Sequence, residues 1–124
     1  MEILFIIGHL IVGIYFLNSG INHFFNVNYL AGYAGSKGVP WPKAGVIVSG
    51  ALFAIGGISL IGLIEPQLGA GLIALTLIPL TTTMHNFWTV NDPMQRAMEK
   101  INFTKNLALI GSLLIILAFF ASVH

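Results

Sequence analysis

His23 and His85 are the side chains of this sequence best suited to hold a ligand, because imidazole titrates near neutrality and serves as a hydrogen-bonding or metal-ligating group. Asn18 and Asn22 lie close to His23 in the chain. Thr81, Thr82 and Asn86 surround His85, and Lys105 and Asn106 follow. Asn18 with Asn22, and Thr81 with His85, are each four apart, so each pair shares one face of a helix. If helices carry these groups to one depth, Asn18, Asn22, His23, His85, Asn86, Lys105 and Asn106 form a polar cluster. Polar side chains deep in an apolar protein are costly unless they pair or face a cavity, which makes them functional candidates. The alternative is structural: Asn and His can tie helices together.

His9 stands fourteen positions before His23 on a similar helix face. Histidines on facing helices can bind haem from both sides, and His85 is the one opposite partner for His23. His9 has none. A metal at His23, His85 and Met84 lacks a closely spaced ligand set, so no metal site is expected. Without cysteine, disulfides, thiolate metal sites and thiol catalysis are excluded. The chain carries no phosphate-binding glycine loop, no serine or threonine beside a base in a known motif and no paired intramembrane carboxylates. No catalytic residue is assigned. A net charge of +1 gives no basic face for nucleic acid.

Five basic and four acidic side chains among 124 residues leave uncharged stretches at 3–36, 44–64, 66–91 and 106–124. About 20 apolar residues cross a hydrocarbon core of about 30 Å. With 7% charged residues, 56% apolar residues and a mean hydropathy of +0.91, the chain reads as an all-α integral membrane protein. It forms one domain, an antiparallel up-down four-helix bundle with spans at about 3–25, 42–64, 68–87 and 104–123. The apolar start lacks a basic n-region, so the first helix is expected to be retained rather than cleaved.

Trp41 and Pro42 suit the membrane-level start of a helix, and Glu65-Pro66-Gln67 reads as a short turn. Pro79 should kink the third span, with the neighbouring threonines covering freed carbonyls. Residues 26–41, rich in Asn, Tyr and Gly, read as an irregular interfacial loop. Asp92 and Pro93 open a short amphipathic helix near 93–101, with Arg96, Glu99 and Lys100 opposite Met94, Ala97, Met98 and Ile101. Gly50, Gly57 and Gly62 mark a small-residue face on the second span. Such a face packs tightly inside its own bundle or, alternatively, docks on another subunit or a second copy.

Gly20-Ile21-Asn22-His23-Phe24, Gly38-Val39-Pro40, the glycines from Gly45 to Gly57, His85-Asn86-Phe87-Trp88 and Phe103 through Gly111 together resemble the DoxX family. The resemblance covers most of the chain in order, and implies a four-helix membrane protein of a bacterium or archaeon. Relatives include a subunit of a thiosulfate:quinone oxidoreductase, and others are linked with membrane redox complexes. It marks His23, His85, Trp88, Lys105 and Asn106 as motif positions without giving them jobs. Relatives often begin with basic residues, where this chain has Glu2. The expected function is a non-catalytic accessory subunit of a larger membrane complex. The alternatives are a small quinone- or haem-associated redox protein and an oligomeric permease.

All five bases fall in or one residue beyond the two segments 26–42 and 88–104 that share one side of a four-span bundle. The positive-inside rule puts that side in the cytoplasm and both termini outside. A single cysteine at Lys37 should therefore react with a cytoplasmic maleimide, and one at Gln67 should not. The reverse pattern would overturn the orientation.

Overall fold

A computed structural model of the chain describes residues 2–122. Long apolar stretches become long helices: α1 Glu2–Phe25, α3 Pro42–Gly62, α4 Pro66–Met84 and α5 Pro93–Ser122, with a shorter α2 Val27–Ser36. A 3-10 turn, Phe87–Thr89, links α4 to α5. Among the described residues there is no strand, and four helices are long and apolar enough to cross a membrane.

Three boundaries differ from those read from the sequence. Segment 26–41 is not an irregular loop, because α2 occupies most of it. Its weak helix formers fold where Leu30, Tyr33 and Ala34, at helical spacing, find a wall to pack on; tertiary contact outweighs propensity. A Schellman motif ends α2: Val39 N–H reaches the Ala34 carbonyl at 3.1 Å and Gly38 N–H the Gly35 carbonyl at 3.0 Å. That turn needs the left-handed φ of 82° that Gly38 supplies.

The amphipathic helix near 93–101 and the fourth span are one continuous rod. Asp92 caps it, accepting the Gln95 N–H at 3.0 Å, and after Pro93 in the first turn no glycine or proline follows until Gly111. The polar face of this segment is partly inverted. Glu99 is 6% exposed, while Met94, Met98 and Ile101 are 60–75% exposed. Helical spacing located the two faces, but only the neighbouring elements decide which face turns inward. The turn after α3 falls at Leu63–Glu65, so Pro66 and Gln67 already belong to α4. Its compactness rests on left-handed Leu63 and Glu65 and on the Ser59 hydroxyl, which donates to the Ile64 carbonyl at 2.6 Å. The fourth span's last predicted residue, Val123, lies outside the described residues.

The α4 helix continues through Pro79. Thr82 shares its hydroxyl between the Ile78 and Pro79 carbonyls. The core gathers Phe16 from α1, Phe53 and Leu60 from α3, Ile73 and Leu77 from α4, and Leu113, Ile116 and Phe120 from α5.

A close backbone-to-backbone contact joins α1 to α3 through glycines. A Cβ on Gly57 would stand 2.6 Å from the Leu17 nitrogen and 2.7 Å from the Gly13 carbonyl oxygen. One on Gly20 would stand 2.5 Å from the Gly50 carbonyl oxygen. Backbone atoms have no rotamer by which to yield. Gly57→Ala should therefore lower the stability of the detergent-solubilised protein by about 1–3 kcal/mol. Gly8→Ala and Gly111→Ala, which meet nothing within 4 Å, should leave thermal unfolding unchanged or raise its midpoint. Equal effects at all three positions would sink the close-approach account.

Candidate ligand-binding site

The glycine contact between α1 and α3 has a consequence for His23. A Cβ on Gly50 would lie 2.6 Å from the His23 Cβ, so the missing side chain at 50 is the space His23 uses. The imidazole meets Phe53 edge-on, with ring centroids 5.5 Å apart. Its Nδ1 donates to the Ser19 carbonyl at 2.7 Å. A carbonyl can only accept, so Nδ1 carries the hydrogen and Nε2 carries the lone pair.

His85 reaches the same region from the end of α4. Its buried Nδ1 lies 3.5 Å from the Glu99 Oε1, within ion-pair range but without the geometry of a formed hydrogen bond. Both oxygens of Glu99 are acceptors elsewhere. Oε2 takes the Tyr33 hydroxyl at 2.6 Å, and Oε1 takes the Asn102 amide at 3.3 Å. The Lys37 ammonium stands 3.9 Å from Oε2 and donates to the Asn86 Oδ1 at 2.8 Å. Burial, and after it the Glu99 carboxylate, push the Tyr33 phenol upward, so the phenol stays protonated and donating at neutral pH.

Two adjoining cavities meet at the histidines. The larger, about 680 Å³, is a cleft open on one side, walled by α2, α3 and α4. Leu30, Val46, Leu52, Leu72, Leu75 and Pro79 make it apolar, while His23, Tyr33 and His85 lie together at one end and the hydroxyls of Ser49, Thr76 and Thr83 also line it. The smaller, about 140 Å³, is lined by Tyr15, Ser19, His23, His85, Lys105 and Asn106 among others. It has room for a few waters. Both volumes and linings suit a ligand with an apolar body and a small polar head.

The structure thus brings His23, His85, Lys105 and Asn106 to one place, with Asn86 beside them through Lys37. Asn106 is buried and donates to the Thr81 hydroxyl at 3.1 Å. Asn18 and Asn22 do not join; both are exposed, and Asn22 instead accepts from Asn26. At about 100° per residue, His23 continues the inward face of Phe16 and Gly20, not the face shared by Asn18 and Asn22. His9 is buried far along α1, where it stacks on Phe5. Gly50 and Gly57 face α1, while Gly62 is exposed. His23 and His85 both border both cavities, and the smaller cavity is far below porphyrin size. Among the described residues no group of three His, Cys, Asp or Glu is placed to hold a metal ion.

Sequence reasoning missed Tyr33, Lys37, Glu99 and Asn102. Tyr33 and Lys37 belonged to a segment read as a loop, and Glu99 to a face read as exposed. The available signal was Glu99 itself, one of only four acids, set on a helix three residues before Asn102.

Comparison with family models, curated proteins and solved structures finds no match.

Removing the carboxylate should expose its role. Glu99→Ala leaves the Tyr33 hydroxyl without its acceptor and Lys37, whose side chain is 12% exposed, without its carboxylate, and should cost roughly 3 kcal/mol. Glu99→Gln keeps an acceptor for Tyr33 and should cost distinctly less. Unfolding followed by circular dichroism checks this; an alanine variant as stable as wild type would refute it.

Proposed function

We propose that this chain is a multi-pass protein of the cell membrane whose cleft seats a lipid-soluble ring compound of the quinone class. The observation that carries this reading is the apolar cleft of about 680 Å³ with His23, Tyr33 and His85 at one end. An isoprenoid or alkyl tail suits the leucine-rich walls, and a ring oxygen suits the imidazoles.

Membrane insertion is supported by the surface. Ile3, Ile7, Ile11 and Ile14 form an exposed stripe on α1, and Leu68, Leu75, Leu114 and Ile115 are exposed on α4 and α5. Water would not tolerate so much apolar area, whereas lipid favours it. Exposed Phe25, Tyr29, Trp41 and Trp88 cluster where the basic residues lie, as at a headgroup boundary. The up-down arrangement is supported by contact order: Gly13 meets Gly57 and Gly20 meets Gly50, while Gly71 faces Leu117 and Thr81 meets Asn106.

The role as an accessory subunit beside a larger membrane oxidoreductase, in a bacterium or archaeon, rests on the DoxX resemblance of Gly20–Phe24, His85–Trp88 and Phe103–Gly111. In this reading the protein holds the ring compound and its partner performs the electron transfer. Gly50 and Gly57 are covered by α1, so any partner is met by other surfaces.

Solvent extraction of protein purified in mild detergent, followed by mass spectrometry, tests the ligand. A ring-headed lipid should be recovered near one per chain from wild type. Leu75→Trp, which fills the cleft from an exposed wall position, should reduce it several-fold while preserving helicity. Recovery of phospholipid alone would overturn the reading.

A further inference from the structure

We infer that the cleft selects the reduced, hydroxyl-bearing form of its ligand, a lipophilic hydroquinone or phenol, over the oxidised quinone. This rests on the cleft reading above and deepens it. The argument comes from the two histidines and from which hydrogen-bonding sign each offers.

At His23 the Ser19 carbonyl fixes the tautomer, because an oxygen lone pair at 2.7 Å demands a hydrogen on Nδ1. The neutral ring then has only a lone pair left at Nε2, and no protein group among the described residues bonds to it. At His85 the neighbour of Nδ1 is a carboxylate oxygen at 3.5 Å. A lone pair turned toward that anion would be repelled, so Nδ1 carries the hydrogen and Nε2 is again the acceptor. That nitrogen too has no protein partner among the described residues.

The charges around His85 oppose a second proton. Glu99 is already faced by Lys37 at 3.9 Å and by the Tyr33 and Asn102 donors, and Lys105 lines the small cavity beside His85 and His23. A cationic imidazole would be a third positive charge beside one carboxylate in a poorly solvated site. Both rings therefore offer acceptors at the end of the cleft.

Two free acceptors call for a donor. A hydroquinone brings two ring hydroxyls and a phenol one, whereas a quinone brings only carbonyl oxygens whose lone pairs would face lone pairs. Most hydroxyls of the cleft do not offset this: Tyr33 donates to Glu99 at 2.6 Å, Ser49 to the Val46 carbonyl at 3.2 Å and Thr76 to the Leu72 carbonyl at 2.7 Å. That leaves Thr83 as the one lining hydroxyl without a protein acceptor among the described residues, against two imidazole lone pairs. An unmatched polar group in a desolvated site is what makes such discrimination large.

The test compares decylubiquinol, kept reduced under argon, with decylubiquinone, each titrated against the full chain in nanodiscs by a dialysis binding assay. Wild type should bind the quinol at least about tenfold more tightly. His23→Phe and His85→Phe should each weaken quinol binding while leaving quinone binding little changed. Histidine ¹⁵N NMR of the wild type provides a readout that needs no variant: two unprotonated Nε2 resonances should shift on adding decylubiquinol and stay in place with decylubiquinone. If the quinone binds as tightly as the quinol, or the Nε2 signals belong to protonated nitrogens, the inference fails and the cleft reading stands. If neither compound binds, both fail together.

Discussion

A carboxylate in a nearly dry setting must find partners, and Glu99 finds them on every side. Tyr33 and Lys37 come from α2 and the residue that ends it, His85 from the end of α4, and Asn102 from the next turn of α5. Buried charge is tolerated only when its acceptor positions are met. The cost of leaving Glu99 unmet is what ties α2 across the end of the bundle and holds α5 with a polar face inward. The same convergence sets His85 at the end of the cleft and determines which of its nitrogens is free.

A second constraint acts through absent atoms. Gly13, Gly20, Gly50 and Gly57 let the backbones of α1 and α3 approach to a distance that a single methyl group would forbid. Close packing of this kind is stiff, because backbone cannot change rotamer. His23 enters the site through the gap at Gly50 and is steadied by Phe53 and by its bond to Ser19. The two histidines thus arrive by different means, one by a close helix crossing and the other by an ionic cluster. They meet where the apolar cleft joins the small polar cavity.

Much of the architecture was legible in the residues. Long uncharged stretches specify long helices whatever surrounds them, because period and length are local properties, and Asp92 with Pro93 specifies a start. The site was legible in part. His23, His85, Lys105 and Asn106 were picked out as polar groups in apolar company, and they converge. Asn18 and Asn22 were grouped with them by proximity in sequence, but helical rotation turns them outward. Tyr33 and Glu99 were missed because neither a tyrosine in a glycine-rich segment nor an acid on an amphipathic helix declares which way it will point.

The sequence by itself determined the helical class, four helices long and apolar enough to cross a membrane, and the short list of groups able to bind anything. These depend on composition and on periodicities of a few residues. Only the tertiary structure decided that 27–36 is a helix, that 93–122 is unbroken, and that Glu99 faces inward. The first and last of those outcomes depend on partners distant in sequence: Tyr33 on Glu99 across 66 positions, Lys37 on Asn86 across 49. Local pattern can offer two faces of a helix, but the choice between them belongs to whatever is packed against it.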